Sequence, residues 1–257
     1  MREDQLFLQD AENLEVKSSI PFDVRELKIP FDFADISHID FEQQQAEVFH
    51  AWYDHQDEPV IKSVSDIMIA EPQTAIDYLQ NLLASSYLFG KRAAIRREVQ
   101  NQSRLAEVYP EKQRNKFAID DAAFQQDAVI FLSNNKNHRL EELFWEDFQT
   151  NQALNRKGEK EQSAGKRGIL AMKKVIDGLT AQGFEVYLPD PKIDAVEKID
   201  LVAVKADELL FIQVKSQNTG KNKGDKYKQD KLEIFHDAVS KYSGLVGREI
   251  TGKVVEV

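Results

Sequence analysis

The stretch KIDLVAVKADELLFIQVKS, residues 198–216, carries three side chains of kinds that together can hydrolyse a phosphodiester: Asp200, Gln213 and Lys215. A carboxylate, an amide oxygen and a backbone carbonyl are the oxygen donors that a hard divalent cation takes. On this reading Asp200, the Gln213 side chain and the Val214 carbonyl supply the protein's share of the shell. The ion polarises the phosphate and acidifies a water, and the Lys215 ammonium orients that water or offsets transition-state charge. Cysteine is absent, which excludes thiolate metal sites and cysteine nucleophiles. The five histidines show no ligand spacing, so the expected ion is Mg2+ or Mn2+.

Whether the three residues meet depends on a hairpin. Two apolar runs, IDLVAVK and ELLFIQVKS, read as strands joined near Asp207. Alternate side chains of a strand share a face, which groups Gln213 with Lys215. A two-residue turn at Asp207–Glu208 sets Asp200 opposite Lys215 and on the same face, whereas a three-residue turn centred on Asp207 sends Asp200 to the other face. The site needs the even register or a bulge. Without it, Asp200 ends a turn, and Gln213 and Lys215 are the polar end of a strand where lysine discourages edge pairing.

The flanking elements alternate helix and strand. ILAMKKVIDGLTAQ (169–182) places Ile169, Met172, Val175, Ile176 and Leu179 on one helical face and stops at Gly183. FEVYLP reads as a strand, DPKIDAVEK as a turn, DKLEIFHDAVSKYS as an amphipathic helix and GKVVEV as a last strand. The order over 169–257 is α-β-β-β-α-β. Before it, NQALNRKGEKEQSAGKRG (151–168) is polar, holds three glycines and reads as a linker. Residues 1–150 read as a mostly α-helical domain, with an extended, partly stranded segment over 5–35 and helices from Asp40 onward.

An Asp, a hairpin and an acidic-or-Gln-x-Lys after an amphipathic helix and a Gly-Phe-x-Val strand resemble the PD-(D/E)XK nuclease superfamily. GILAMKKVIDGLTAQGFEVYLPD and KIDLVAVKADELLFIQVKS are similar to its archaeal Holliday-junction resolvase and Mrr-type restriction endonuclease branch, over about residues 165–257. The resemblance implies a restriction-endonuclease-like fold, Mg2+-dependent DNA cleavage and often a homodimer, with Asp200, Gln213 and Lys215 on the motif positions. Gln213 stands where the family usually has Glu or Asp. Ala171 and Met172 occupy the helix where it offers a Glu, so Glu161 or Glu185 is the substitute to look for. A degenerate, non-catalytic nucleic-acid-binding or assembly module on the same fold is the alternative.

Two basic stretches could meet phosphates. The loop 216–231 holds Lys221, Lys223, Lys226, Lys228 and Lys231 against Asp225 and Asp230. Residues 90–116 hold eight basic side chains against three acidic ones, with Arg92 and Arg96 one helical turn apart. The aromatic segments FWEDF and FHAWYDH read as core with a charged rim.

Composition sets the frame. Of 257 residues, 42% are hydrophobic and 30% charged, the profile of a globular protein. No apolar run nears the roughly 18 residues of a membrane span, and MREDQLFLQDAENLEV lacks the layout of a signal peptide, so a cytosolic protein is expected. Residues 1–150 hold 15 Lys+Arg and 28 Asp+Glu, net −13, which suits a basic protein partner; residues 151–257 hold 19 and 16, net +3, which suits nucleic acid.

Overall fold

The computed structural model describes residues 19–34, 36, 43, 71–101, 111–153, 159–216 and 225–257, with the backbone alone at 93–101, 111–114, 150–153, 159–164 and 225–228. The chain divides into two units, Met1–Leu27 with Leu170–Val257, and Lys28–Ile169. Among the described residues no helix is long and apolar enough to cross a membrane.

The second unit is helical, as expected. Helix α1 spans Ala75–Asn101. Its start is fixed by a reciprocal cap: the Asp77 N–H donates to Thr74 Oγ1 at 3.1 Å, and the Thr74 N–H donates to Asp77 Oδ2 at 3.0 Å. Helices α2 (Glu111–Asn134) and α3 (His138–Ala153) complete the described part. Residues 81–90 of α1 are buried all round, which marks a central helix. Phe89, Phe124, Phe131, Phe144 and Phe148 fill its surroundings, Phe124 and Phe148 stacked at 5.9 Å. FWEDF is therefore core, while FHAWYDH lies outside the described residues.

The expected linker 151–168 is helical where it is described, at 151–153 and from Glu159 on, and residues 154–158 lie outside the described residues. Helix α4 (Glu159–Ala181) covers its second half. Gly165 serves close packing rather than a turn, since a Cβ there would stand 3.0 Å from Phe89 Cε1 and 3.2 Å from Phe148 Cζ.

The α/β unit is discontinuous. Its five-stranded mixed sheet has the order β1 (Val24–Glu26), β2 (Glu185–Pro189), β3 (Leu201–Lys205), β4 (Glu208–Lys215), β5 (Thr251–Glu256). The first three pairings are antiparallel. A crossover through helix α6 (Asp225–Val246) makes β4 and β5 parallel. The expected N-terminal strand exists, but it extends this sheet through Val24↔Pro189 and Glu26↔Tyr187 instead of belonging to the helical domain. Ile20 and Phe22 join the core that Phe211, Phe235 and Tyr242 build. The segment DPKIDAVEK forms a seven-residue helix, α5 (Pro191–Glu197), inserted in the expected order.

This division rewrites the charge contrast. The helical unit carries 17 Lys+Arg and 23 Asp+Glu, net −6, and the α/β unit 17 and 21, net −4. The opposition between an acidic and a basic half belonged to the cut at 150, which assigned the acidic first 27 residues to the wrong side.

Candidate active site

The hairpin turn is Ala206–Asp207, with Lys205 paired to Glu208, so neither register read from the sequence is the one adopted. Ala206 takes the positive φ of 47° that such tight turns require. The ladder continues through Val204↔Leu209 and Val202↔Phe211 to Leu201↔Ile212. The ladder stops there: the Asp200 N–H turns to the carbonyl of Ile212, the residue already paired with Leu201, so Asp200 stands just outside the regular pairing. The shift from the favoured register is two residues, which preserves the face. Gln213 and Lys215 alternate with Phe211 and so share the face of the sheet on which Val202, Val204, Leu209 and Phe211 meet α6, while Asp200 precedes β3 and reaches β4 through its side chain.

At Asp200 the ladder is completed by a side chain. The Asp200 N–H donates to the Ile212 carbonyl at 2.9 Å, and the Val214 N–H donates to Asp200 Oδ2 at 2.6 Å. The carboxylate thus occupies the place of a backbone acceptor where β3 ends, and one of its oxygens is fixed against β4.

Helix α5 presents a second carboxyl. Asp190 caps it, its side chain accepting from the Lys192 N–H at 2.8 Å, and Pro191 begins it with a preset φ. Lys198 ends it in a left-handed conformation, φ 61°, with its N–H donating to the Asp194 carbonyl at 3.2 Å. The turn sends Ile199 into the core and Asp200 toward the sheet. Ile193 packs on the core, and Lys241 of α6 donates to Glu197 Oε1 at 2.9 Å. Held this way, Asp194 is close enough to act on the Asp200 carboxyl. Burial pushes the Asp200 carboxyl well above its ordinary value of 3.8, and the neighbouring Asp194 adds to this, against the pull of the Val214 N–H and Lys198.

Gln213 is 4% exposed, and its Oε1 has no hydrogen-bond partner. An orphaned buried amide oxygen costs about 1–3 kcal/mol, so its presence beside a carboxyl pair calls for a role. Lys215 stands across from Glu256 on β5, and its carbonyl accepts from the Val257 N–H at 2.8 Å. Asp194, Asp200 and Gln213 offer only oxygen donors, a set suited to a hard divalent cation. Among the described residues no group of three or more His, Cys, Asp or Glu gathers, so any such ion draws on the amide as well.

Other expected residues lie elsewhere. Glu185 pairs with Val204 near the turn end of the hairpin, is exposed, and accepts from the Tyr187 hydroxyl at 2.8 Å, so the sheet separates it from Asp200 by about four residues, or ~13 Å. Glu161 belongs to α4 within the helical unit, and its side chain lies outside the described residues. Ala171 and Met172 are buried, as a helix without a site carboxylate would have them. A shallow groove of about 730 Å3, lined by Gln182, Phe184, Lys205 and Lys253 among others, also lies at the turn end.

Of the basic residues, Lys221 and Lys223 fall outside the described residues. Lys226, Lys228 and Lys231 lie on the first turns of α6 rather than on a loop, which ends at Asp225. Arg92 is not a phosphate contact. It is 1% exposed, and its Nε lies 2.6 Å from Asp121 Oδ1 in the interior of the helical unit. Arg96 is one turn further along α1, with its side chain outside the described residues.

The sequence reading missed Asp194 as a neighbour that acts on the Asp200 carboxyl. The Asp190–Pro191 pair is a helix-start signature that turns DPKIDAVEK from a loop into an element, and the helix is what aims Asp194. No family model, no curated protein and no solved structure matches this chain.

Proposed function

We propose that the chain is a divalent-cation-dependent nuclease that hydrolyses DNA phosphodiesters on a restriction-endonuclease-like α/β unit. The observation that carries this is that the Asp200 carboxylate accepts from the Val214 N–H, between Gln213 and Lys215 at the end of β4, with Gln213 Oε1 buried and unpartnered. The order of helices and strands around the hairpin, and the parallel β5 reached through α6, support the same fold.

Asp200, the Gln213 side-chain oxygen and the Val214 carbonyl would hold Mg2+ or Mn2+. When bound, the ion supplies positive charge at the scissile phosphate and acidifies a water. The Val214 N–H holds one Asp200 oxygen in place, which limits the rotation of the carboxylate. Burial of Gln213 keeps bulk water from its oxygen and so strengthens what it binds. Lys215 offsets charge on the transition state or orients the attacking water. Lysines on the first turns of α6 and in the preceding segment contact the phosphate backbone without reading bases, and a homodimer would cut both strands.

Substituting Asp200→Ala or Lys215→Ala should abolish cleavage of labelled DNA in Mg2+ or Mn2+ while leaving circular dichroism unchanged. Cleavage that survives both substitutions would remove the site from the account.

One observation favours a second reading. Asp200 already has partners in the Val214 N–H and Asp194, and Gln213 contributes no charge, so the same arrangement suits a non-catalytic nucleic-acid-binding or assembly module. Binding unaffected by chelator and by Asp200→Ala, with no cleavage, is its signature.

A further inference from the structure

The packing of the helical unit gathers its basic residues at one end. The Tyr78 hydroxyl of α1 donates to the Asp127 carbonyl of α2 at 3.0 Å, the rings of Phe89 and Phe124 lie 5.1 Å apart, and Arg92 Nε reaches Asp121 Oδ1 at 2.6 Å. The α2 partner moves back along the chain as α1 advances, so the two helices are antiparallel. Residues 91–101, which end α1, and residues 111–116, which begin α2, therefore belong to the same end of the pair.

Charge divides along the same line. Beyond Arg92, which Asp121 neutralises in the interior, that end holds Lys91, Arg96, Arg97, Lys112, Arg114 and Lys116 against Glu98 and Glu111, net +4. The rest of the two helices, 75–90 and 117–134, contains no Lys or Arg, and its charged residues are Asp77, Asp120, Asp121 and Asp127. The pair leaves the core between Phe117, which is buried, and Lys116, which is exposed. The net charge of −6 on the helical unit thus conceals a cationic end. Cations gathered by packing repel one another, a cost that a polyanion removes.

Resting on the nuclease reading, we infer that this end of α1 and α2 is a second contact with the substrate, gripping the phosphate backbone of DNA. Three of the six side chains are arginines, whose planar fork matches phosphate oxygens. Such contacts contribute affinity and salt dependence rather than sequence choice. Arg92 is a positioning residue here: sealed against Asp121, it ties α1 to α2 at the level where the basic turns begin.

The test is binding of labelled duplex DNA by the full-length protein at about 50 and 200 mM salt, for the wild type, Arg96→Gln/Arg97→Gln and Lys112→Gln/Arg114→Gln. Thermal melts verify that each variant is folded, and cleavage in Mg2+ at saturating protein reads the hairpin site separately. Each double variant should bind about tenfold more weakly at the higher salt and lower the slope of log affinity against log salt by about 2, with cleavage at saturation retained. Lys173→Gln/Lys174→Gln, the same loss of charge on α4, should change neither; equal weakening there would overturn a local contact. Unchanged affinity and slope in both helix variants, with cleavage still lost in Asp200→Ala, would overturn the inference and leave the nuclease reading standing. The expected losses in a protein that binds DNA but never cuts it would keep the contact and remove the nuclease. A wild type that binds vesicles of anionic lipid and no DNA would overturn both.

Discussion

Arg92 and Asp200 show how differently a charged residue can be used in one chain. Arg92 is sealed inside the helical unit with Asp121 on its Nε, while Nη1 and Nη2 lack hydrogen-bond partners. Such a pair contributes little net stability when intact but is costly to break, because the survivor is left as an uncompensated buried charge. Asp121→Ala or Arg92→Ala should each destabilise the fold by about 3–5 kcal/mol in urea unfolding. A loss below about 1 kcal/mol is what a solvated phosphate-binding arginine would give. The basic run 90–116 could not reveal this, since a sequence shows that arginines lie on a helix but not that the helix is surrounded. The chemistry at 198–216 was more legible. The hairpin adopts a register two residues from the one favoured, which leaves Gln213 and Lys215 on one face, because period-two alternation makes face membership indifferent to even slips, and the Asp200 carboxylate bonds the Val214 N–H between them. What stayed hidden was the helix Pro191–Glu197, which reads as a turn and sets Asp194 where its charge acts on the Asp200 carboxyl.

At the scale of elements, Gly165 decides between two readings of the same letters. In NQALNRKGEKEQSAGKRG, glycine and charge signal a linker. In the structure Gly165 is a mid-helix contact against Phe89 and Phe148, placed where a methyl group does not fit. The two views predict opposite signs for Gly165→Ala. An exposed helical or linker glycine gains up to about 1 kcal/mol from alanine, whereas a close-packed one loses about 1–3 kcal/mol to overpacking. Chemical denaturation should show destabilisation. The same contrast explains which elements were readable. The body of α6 and the strands of the hairpin follow from local apolar patterning, and they lie within the spans that patterning marked, give or take their ends. The linker and the loop at 225–231 were misread because polarity was taken for irregularity, whereas a helix with one buried face tolerates many charges on the other.

For the whole molecule, the least legible feature was that the first residues belong with the last. Phe22 lies 5.3 Å from the ring of Phe211 and 4.9 Å from that of Tyr242, and Arg248 Nη2 donates to Ser19 Oγ at 3.0 Å. Nothing local in SSIPFDV announces a partner more than 180 residues away; pairing between distant strands is a tertiary decision. Phe22→Ala should therefore cost the α/β unit about 2–3 kcal/mol, although it lies far in sequence from the hairpin at 198–216. A melting temperature unchanged by this substitution would place the N-terminal segment outside the cooperative fold. With the segment restored to its unit, neither unit is basic as a whole. Nucleic-acid affinity then has to come from local lysines, which makes it strongly salt-dependent.

The central claim is that the end of this hairpin is a cation-dependent cutting site. The measurement that reaches it most directly is a Mg2+ and Mn2+ titration of the wild type and Asp200→Ala on labelled linear, branched and single-stranded DNA, scoring binding and cleavage in parallel. The account predicts cleavage that rises with metal, disappears with chelator and is lost in Asp200→Ala while binding persists. Binding to any of the three DNA forms with no cleavage under either metal would contradict it, and would make the fold a binding module in which Asp200 serves only to finish a strand.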